Sequence, residues 1–286
     1  MSEANIKAVL TRLSIRTFPN TRQDQKITDE VRLKKALGIG AGKWVKHVFP
    51  EEAFKNIREC GGEARRRHYD LTLPWEDGYR LLPSAAHASY EDQFKSYGDK
   101  FWKAIGEFEA SYDKWVKLAK EMHGKTYDPS LYPDWRNMRG NFGFGAEYTP
   151  VPKSSHFITG GIAADAVAEM KADLETHNEA RVKAAVQDTY TRVMAPVQAI
   201  AEKLSNKETI FRDSLIENVK TIVGLVPSLN LTDDADLSRI AKEIGEKFAN
   251  LDPEILRSDL SLRKETAKAA KELVAQFGKI GKRRFA

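Results

Sequence analysis

Along residues 5–18, NIKAVLTRLSIRTF, apolar and polar positions alternate through β-branched side chains until Pro19 closes the run. Period two over this length predicts a strand. A second alternating stretch, RGNFGFGAEYTPVP, carries Phe142, Phe144 and Tyr148 and predicts another. Between them, residues 20–46 read as loop with a short helix over 30–37. Pro50 opens an amphipathic helix with Phe54, Ile57 and Cys60 on one side, which Gly61 and Gly62 are placed to interrupt. DLTLPWEDGYRLLPS holds two prolines and the turn signal Asp77-Gly78, and reads as an irregular strand-like connection.

The period then changes. Phe94, Tyr97, Phe101, Ile105, Phe108, Tyr112, Trp115 and Leu118 recur at threes and fours, which predicts one long helix over 89–123. Asp128-Pro129 opens a short helical stretch toward Met138. From Val167 through Met170, Leu174, Val186, Val193 and Val197 to Leu204 the same spacing holds over several heptads, with Pro196 set to kink it. That seam predicts an antiparallel helix hairpin or a coiled coil. Three further helices are expected over 208–223, 234–249 and 262–277, with Pro227, the Asp252-Pro253 pair and Gly278 marking boundaries. The expected fold is α+β and predominantly α. A small antiparallel β element from 6–18 and 141–148 precedes a long helical hairpin or bundle. The expected division is a mixed α/β portion over 1–155 and a helical portion over 156–286.

Composition adds an asymmetry. Residues 1–69 carry 15 Lys/Arg against 8 Asp/Glu, the end of the chain adds Lys279, Lys282, Arg283 and Arg284, and the middle is net acidic. Basic ends around an acidic middle fit nucleic-acid contact, solubility, or self-association between unlike ends. No window approaches eighteen uninterrupted apolar residues, so no membrane partner is expected. The first residues, MSEANIKAVLTRL, lack a signal-peptide pattern, and Cys60 is the only cysteine. A cytoplasmic location is expected, in the host cell if a phage encodes the chain.

Motif chemistry is sparse. In LGIGAGKWVKHVFP three glycines precede Lys43, but the P-loop spacing places Leu37 at the first glycine position and Trp44 where a metal-binding hydroxyl belongs. Gly38, Gly40 and Gly42 make G-x-G-x-G, yet a basic aromatic run follows instead of the helix a dinucleotide needs. These glycines read as a structural turn with Lys43, Lys46 and His47 presenting charge beside it. None of the six histidines pairs at i, i+4, no G-x-S-x-G elbow occurs, and Cys60 falls on the apolar side of its helix. Carboxylate pairs such as Glu107 with Glu109 and Asp233 with Asp234 have ordinary explanations as a solvated face or a helix cap. No catalytic residue, metal or cofactor is expected.

The order of GAGKWVKHVFPEEAFKNIRECGGEARRRHY, an extended tryptophan segment, an aromatic-rich helix and FGFGAEYTPVP before a long helix resembles a family of uncharacterised phage and bacterial proteins. Its members carry a domain of unknown function of about this length. The similarity covers most of residues 1–170 and fades over the C-terminal helices. Genes of that family often stand beside those of a MoxR-type AAA+ ATPase and a von Willebrand A-domain protein. The resemblance therefore implies a non-enzymatic accessory or assembly role through protein contacts, with an AAA+ ATPase as partner.

Two surfaces remain for function. Lys43, Trp44 and Lys46, then Arg65, Arg66, Arg67 and Tyr69, then Arg283 and Arg284 interleave cations with rings, the composition of a groove for single-stranded nucleic acid. No RNA-recognition or KH motif accompanies them, and a solvated basic face is the ordinary explanation. The seam from Val167 to Leu204 serves internal packing, homo-oligomerisation or docking onto a partner.

Overall fold

The computed structural model describes residues 6–76, 78–157, 160–206 and 208–285, with side chains described as far as Gly278. The chain opens with strand β1 (Ala8–Arg16), strand β2 (Thr21–Gln23), helix α1 (Gln25–Lys35) and strand β3 (Val45–His47). Helix α2 (Lys55–Leu71) leads to strands β4 (Leu73–Glu76) and β5 (Tyr79–Pro83), then to helices α3 (His87–Ala110), α4 (Tyr112–His123) and α5 (Trp135–Arg139) and strand β6 (Gly143–Thr149). Helices α6 (Ala164–Ser205), α7 (Ser214–Leu229), α8 (Ala235–Ile244), α9 (Pro253–Ser258) and α10 (Leu260–Phe285) follow. The fold is α+β and predominantly α, with a small antiparallel sheet ordered β4-β5-β1-β6 ahead of the long helices. Strands β2 and β3 form a separate antiparallel ladder.

The chain makes two compact units, each built from separated segments. The first comprises residues up to Arg12, His68–Tyr90 and everything from Tyr148 onward. In its larger core the second half of α6 packs against α7, α8 and α10, with Val193, Val197 and Ile200 facing Val219, Ile240 and Leu273. Its smaller core gathers Leu10, Leu73 and Leu81 with Ala185 and Leu229. The second unit comprises Leu13–Arg67 and Glu91–Glu147. Its core is aromatic, and Phe49 is the hub: its fully buried ring meets Phe18, Phe54, Phe108, Tyr112 and Tyr132 at centroid separations of 5.1–5.9 Å.

The two strands expected from alternation are neighbours in the sheet, as β1 and β6. Several other boundaries differ, each for a physical reason. The stretch around Pro74 and Pro83 is an antiparallel hairpin, not an irregular connection. It pairs Leu73 with Leu81, and β5 pairs onward with β1 at Val9–Leu82. Its prolines sit at the irregular register beside Glu76 and at the last strand residue, where the ladder tolerates them. Gly61 and Gly62 lie inside an unbroken α2, where a side-chain Cβ at Gly61 would meet Arg65 and Ile15 in no more than ordinary contact and one at Gly62 would meet nothing. The aromatic helix divides at Ser111, whose ψ of 10° departs from helical geometry. Pro227 lies within α7 without ending it, and α10 continues past Gly278.

The largest difference concerns the seam. α6 is one continuous helix, but its buried positions begin only at Ala185; Met170 is 43% exposed, and Val167 and Leu174 are only partly covered. The heptad pattern is consumed by core packing in its second half alone. Capping was legible: Asp234 accepts from the amides of Asp236 and Leu237 at the start of α8, and Asp252 accepts from Glu254 ahead of Pro253 in α9.

Because Phe49 organises the second core, truncating it leaves a large cavity among rings that cannot collapse into it. Phe49→Ala is expected to lower the unfolding free energy by about 3–5 kcal/mol, measured by denaturant unfolding. A loss under about 1 kcal/mol would show that the aromatic hub does not hold this core.

Candidate interaction surface

The segment from Asn20 to Phe49 makes a long excursion within the second unit, and its two ends are clamped together. The Asn20 side-chain amide donates to the Phe49 carbonyl at 3.0 Å, and the Phe49 amide donates to Asn20 Oδ1 at 2.8 Å. The Val48 amide reaches the Asn20 carbonyl at 2.8 Å, and the Val48 carbonyl accepts the Tyr132 hydroxyl at 2.7 Å. Above this base, β2 and β3 pair with Thr21 opposite His47 and Gln23 opposite Val45.

Asp24 then does two jobs. Its Oδ1 accepts from the Ile27 amide and caps α1, while Oδ2 accepts from Lys46 Nζ at 2.8 Å. The Lys46 side chain is only 11% exposed and also donates to the Thr126 carbonyl. The hydrogen bond from Lys46 to Asp24 is the main reason the Asp24 carboxyl sits below the usual carboxylate range. Thr28, buried in α1, donates its hydroxyl to the Asp24 carbonyl and accepts the Trp44 amide at 3.0 Å; the Trp44 carbonyl accepts from the Asp24 amide at 2.9 Å. Both polar groups of the Trp44 backbone are thus fixed, while its side chain remains 49% exposed.

What this scaffold displays is apolar. Leu33 is 84% exposed and Ile39 99%, and Val31, Leu37 and Val45 are also open to solvent. A pocket of about 150 Å³ is lined chiefly by apolar surface from Val31, Leu37 and Trp44, with Arg32 and Lys43 beside them. Helix α1 ends at Ala36, held in the left-handed conformation at φ 51°, and Gly40 supplies φ 92° in the loop that follows. Among the described residues Lys34, Lys35 and Lys43 have no partner in the chain, so free cations border the apolar display.

The residues expected to bind nucleic acid are distributed differently. Lys43 and Trp44 belong to this display. Lys46, expected as a free cation, is committed to Asp24 inside it. Arg65, Arg66 and Arg67 are successive residues of α2 and so fan out around the helix. Arg65 donates to the Ile15 carbonyl, Arg66 is exposed, and Arg67 is bonded to Gln93. Tyr69 lies in the first unit, and the Arg80 guanidinium covers its ring at 4.4 Å. The side chains of Arg283 and Arg284 lie outside the described residues. Sequence reasoning missed Leu33 and Ile39: Leu33 falls off the Ile27–Val31 stripe of α1, a break in periodicity that is the only signal marking it.

The end of α2 carries a polar network. Thr72 Oγ1 donates to the His68 carbonyl at 2.6 Å and accepts from Arg80 Nε at 2.7 Å. Arg192 donates to the Tyr69 and Asp70 carbonyls. These bonds satisfy the last carbonyls of the helix. His68 is buried with Nδ1 2.8 Å from the Tyr90 hydroxyl, and burial, with the Arg80 charge adding to it, pushes its pKa down to about 4. Burial and the neighbouring Glu63 raise the Cys60 thiol, which keeps it protonated at neutral pH. Among the described residues no group of His, Cys, Asp and Glu side chains is arranged to hold a metal ion, and no helix is long and apolar enough to cross a membrane. Comparison with family models, with curated proteins and with solved structures finds no match.

His68 makes a pH dependence that can be measured. Its native pKa lies below its unfolded one, so between about pH 6.5 and 4 the unfolded chain binds the proton and the native chain does not. The stability from neutral His68 is complete above that window and falls as pH drops through it. In denaturant titrations at stepped pH, the wild type is expected to lose more stability across the window than His68→Gln does. Equal losses in the two proteins would contradict the assignment.

Proposed function

We propose that this chain is a non-enzymatic accessory protein that works through protein contacts, and that the segment between Asn20 and Phe49 is its contact surface. One observation carries the reading: a backbone held by the Asn20–Phe49 clamp, the Asp24–Lys46 pair and Thr28 displays Leu33, Leu37, Ile39 and Trp44 to solvent. Solvent-facing aliphatic side chains on a fixed frame gain nothing until a partner covers them. The arrangement of a central aromatic anchor, aliphatic neighbours and surrounding cations matches the anatomy of protein interfaces.

The partner implied by the family resemblance is an AAA+ ATPase of the MoxR type, and it stands as part of this proposal. Single-stranded nucleic acid is the second reading, favoured by the half-exposed Trp44 beside the unpartnered Lys43. Branched aliphatics such as Leu33 and Ile39 offer no flat face for a base, which ranks it second.

Affinity purification of the tagged chain from its native host, with nuclease present, tests the proposal against a Leu33→Ser/Ile39→Ser variant. Recovery of a stable protein partner by the wild type, reduced about tenfold or more in the variant, is the expected result. Recovery of no protein partner, or of the same partners in equal amount by the variant, would contradict it. Fluorescence anisotropy with a labelled oligothymidylate at low and moderate salt addresses the second reading, which requires binding that weakens steeply with salt.

A further inference from the structure

A second incompletely covered surface lies in the first unit. From Ala164 to Ala180 helix α6 buries no residue fully; beyond that, Arg181, paired with Glu76, and Val182, packed against the cores, hold it. An unsupported helix of this length is marginal in water, since helices in proteins are stabilised chiefly by packing an apolar face. Asn178 ties it to the Pro152 carbonyl, and Val167 and Leu174 are partly covered, but Met170 remains exposed. Around Met170 the helix is acidic: Asp165, Glu169, Asp173, Glu175 and Glu179 are all exposed, against the single cation Lys171 within that span. Attraction to the helix N-terminus accounts for carboxylates in the first turn only. Asp173, Glu175 and Glu179 lie beyond its reach, and among the described residues none of them has a cationic partner in the chain.

The two surfaces are complementary in both properties. One offers an apolar pocket of about 150 Å³ bordered by the unpartnered Lys34, Lys35 and Lys43; the other offers a protruding, flexible Met170 flanked by unpartnered carboxylates. Methionine adapts to irregular apolar pockets, and opposite charges around an apolar contact fix its orientation and speed encounter. We propose that the chain self-associates, the acidic first half of α6 of one copy seating against the basic, apolar segment between β2 and β3 of the next. The inference rests on the reading of that segment as a protein-contact surface, and names a second copy of this chain as an occupant. The two faces are unlike, so the contact is head-to-tail. A dimer or longer chain of such contacts leaves one face of each kind open, one at each end, and growth continues past the dimer unless a ring closes.

Charge reversal tests this directly. One variant carries Lys34→Glu, Lys35→Glu and Lys43→Glu; the other carries Glu169→Lys, Asp173→Lys and Glu175→Lys. All six positions are exposed, and matching circular dichroism and thermal midpoints establish that both variants fold. In sedimentation velocity the full-length wild type is expected to show mass above the dimer that rises with protein concentration and falls with salt. Each variant alone sets like charges against each other and is expected to weaken association by about tenfold or more. An equimolar mixture of the two restores complementarity and is expected to recover it. A wild type that stays monomeric at every concentration, association unchanged by either reversal, or a mixture that fails to recover would each overturn the proposal. So would binding of the wild type to anionic phospholipid vesicles that the lysine variant loses while its self-association is unaltered, which would assign the cations to a lipid surface. Partner recovery by affinity purification is read separately, so failure of self-association leaves the protein-contact reading standing or falling on its own result.

Discussion

The exchange of two hydrogen bonds between the Asn20 side chain and the Phe49 backbone is the constraint on which the second unit depends. A primary amide carries a donor and an acceptor on separate atoms, as a backbone peptide group does, so it mimics a strand neighbour and closes the base of a long excursion. The closure sets the backbone of Phe49, whose ring then organises Phe18, Phe54, Phe108, Tyr112 and Tyr132. Core and excursion thus share one fixed point. Closing a loop of this length costs entropy that grows only slowly with length, which a clamp, a short ladder and a partly buried ion pair offset together.

From that fixed point the order continues outward by a chain of polar contacts. Asp24 caps α1 with one oxygen and holds Lys46 with the other, and Thr28 carries the order on to the Trp44 amide. The same residues that look like a binding motif in one dimension therefore divide into two classes in three. Lys46 and Thr28 build the frame; Leu33, Ile39, Lys43 and Trp44 are what the frame presents. Exposed apolar groups on mobile backbone would pay ordering entropy on binding, and a preset backbone avoids most of that cost.

The long-range periodicities were legible in the sequence because burial enforces them. Alternation marked β1 and β6, threes and fours marked the helices, and Asp234 and Asp252 announced helix starts by their side-chain chemistry. What the sequence hid were cases where two readings share one pattern. Pro74 and Pro83 mask a hairpin because prolines are tolerated at its irregular and terminal positions. The heptads of α6 run on past the end of its packed half, since periodicity records an apolar stripe and not what covers it. Pairing was equally invisible: nothing in the residue order shows that Lys46 belongs to Asp24, that Arg67 belongs to Gln93, or that Arg80 lies over Tyr69. Leu33 shows in the sequence only as a break in the stripe of α1, a weak signal beside the periodicities that burial enforces.

Hydrogen exchange of individual backbone amides in the intact protein tests most directly whether the excursion is a held frame. The amides of Asp24, Trp44, Val48 and Phe49 each donate to a partner within it, at 2.9, 3.0, 2.8 and 2.8 Å. They are expected to exchange slowly, at rates approaching those of the aromatic core, while Gly38, Gly40 and Gly42 in the displayed loop exchange fast. In Asn20→Ala the four protected amides are expected to speed up together while α8 and α10, in the first unit, are unchanged. Fast exchange of all four in the wild type, or protection that survives loss of Asn20, would contradict the account.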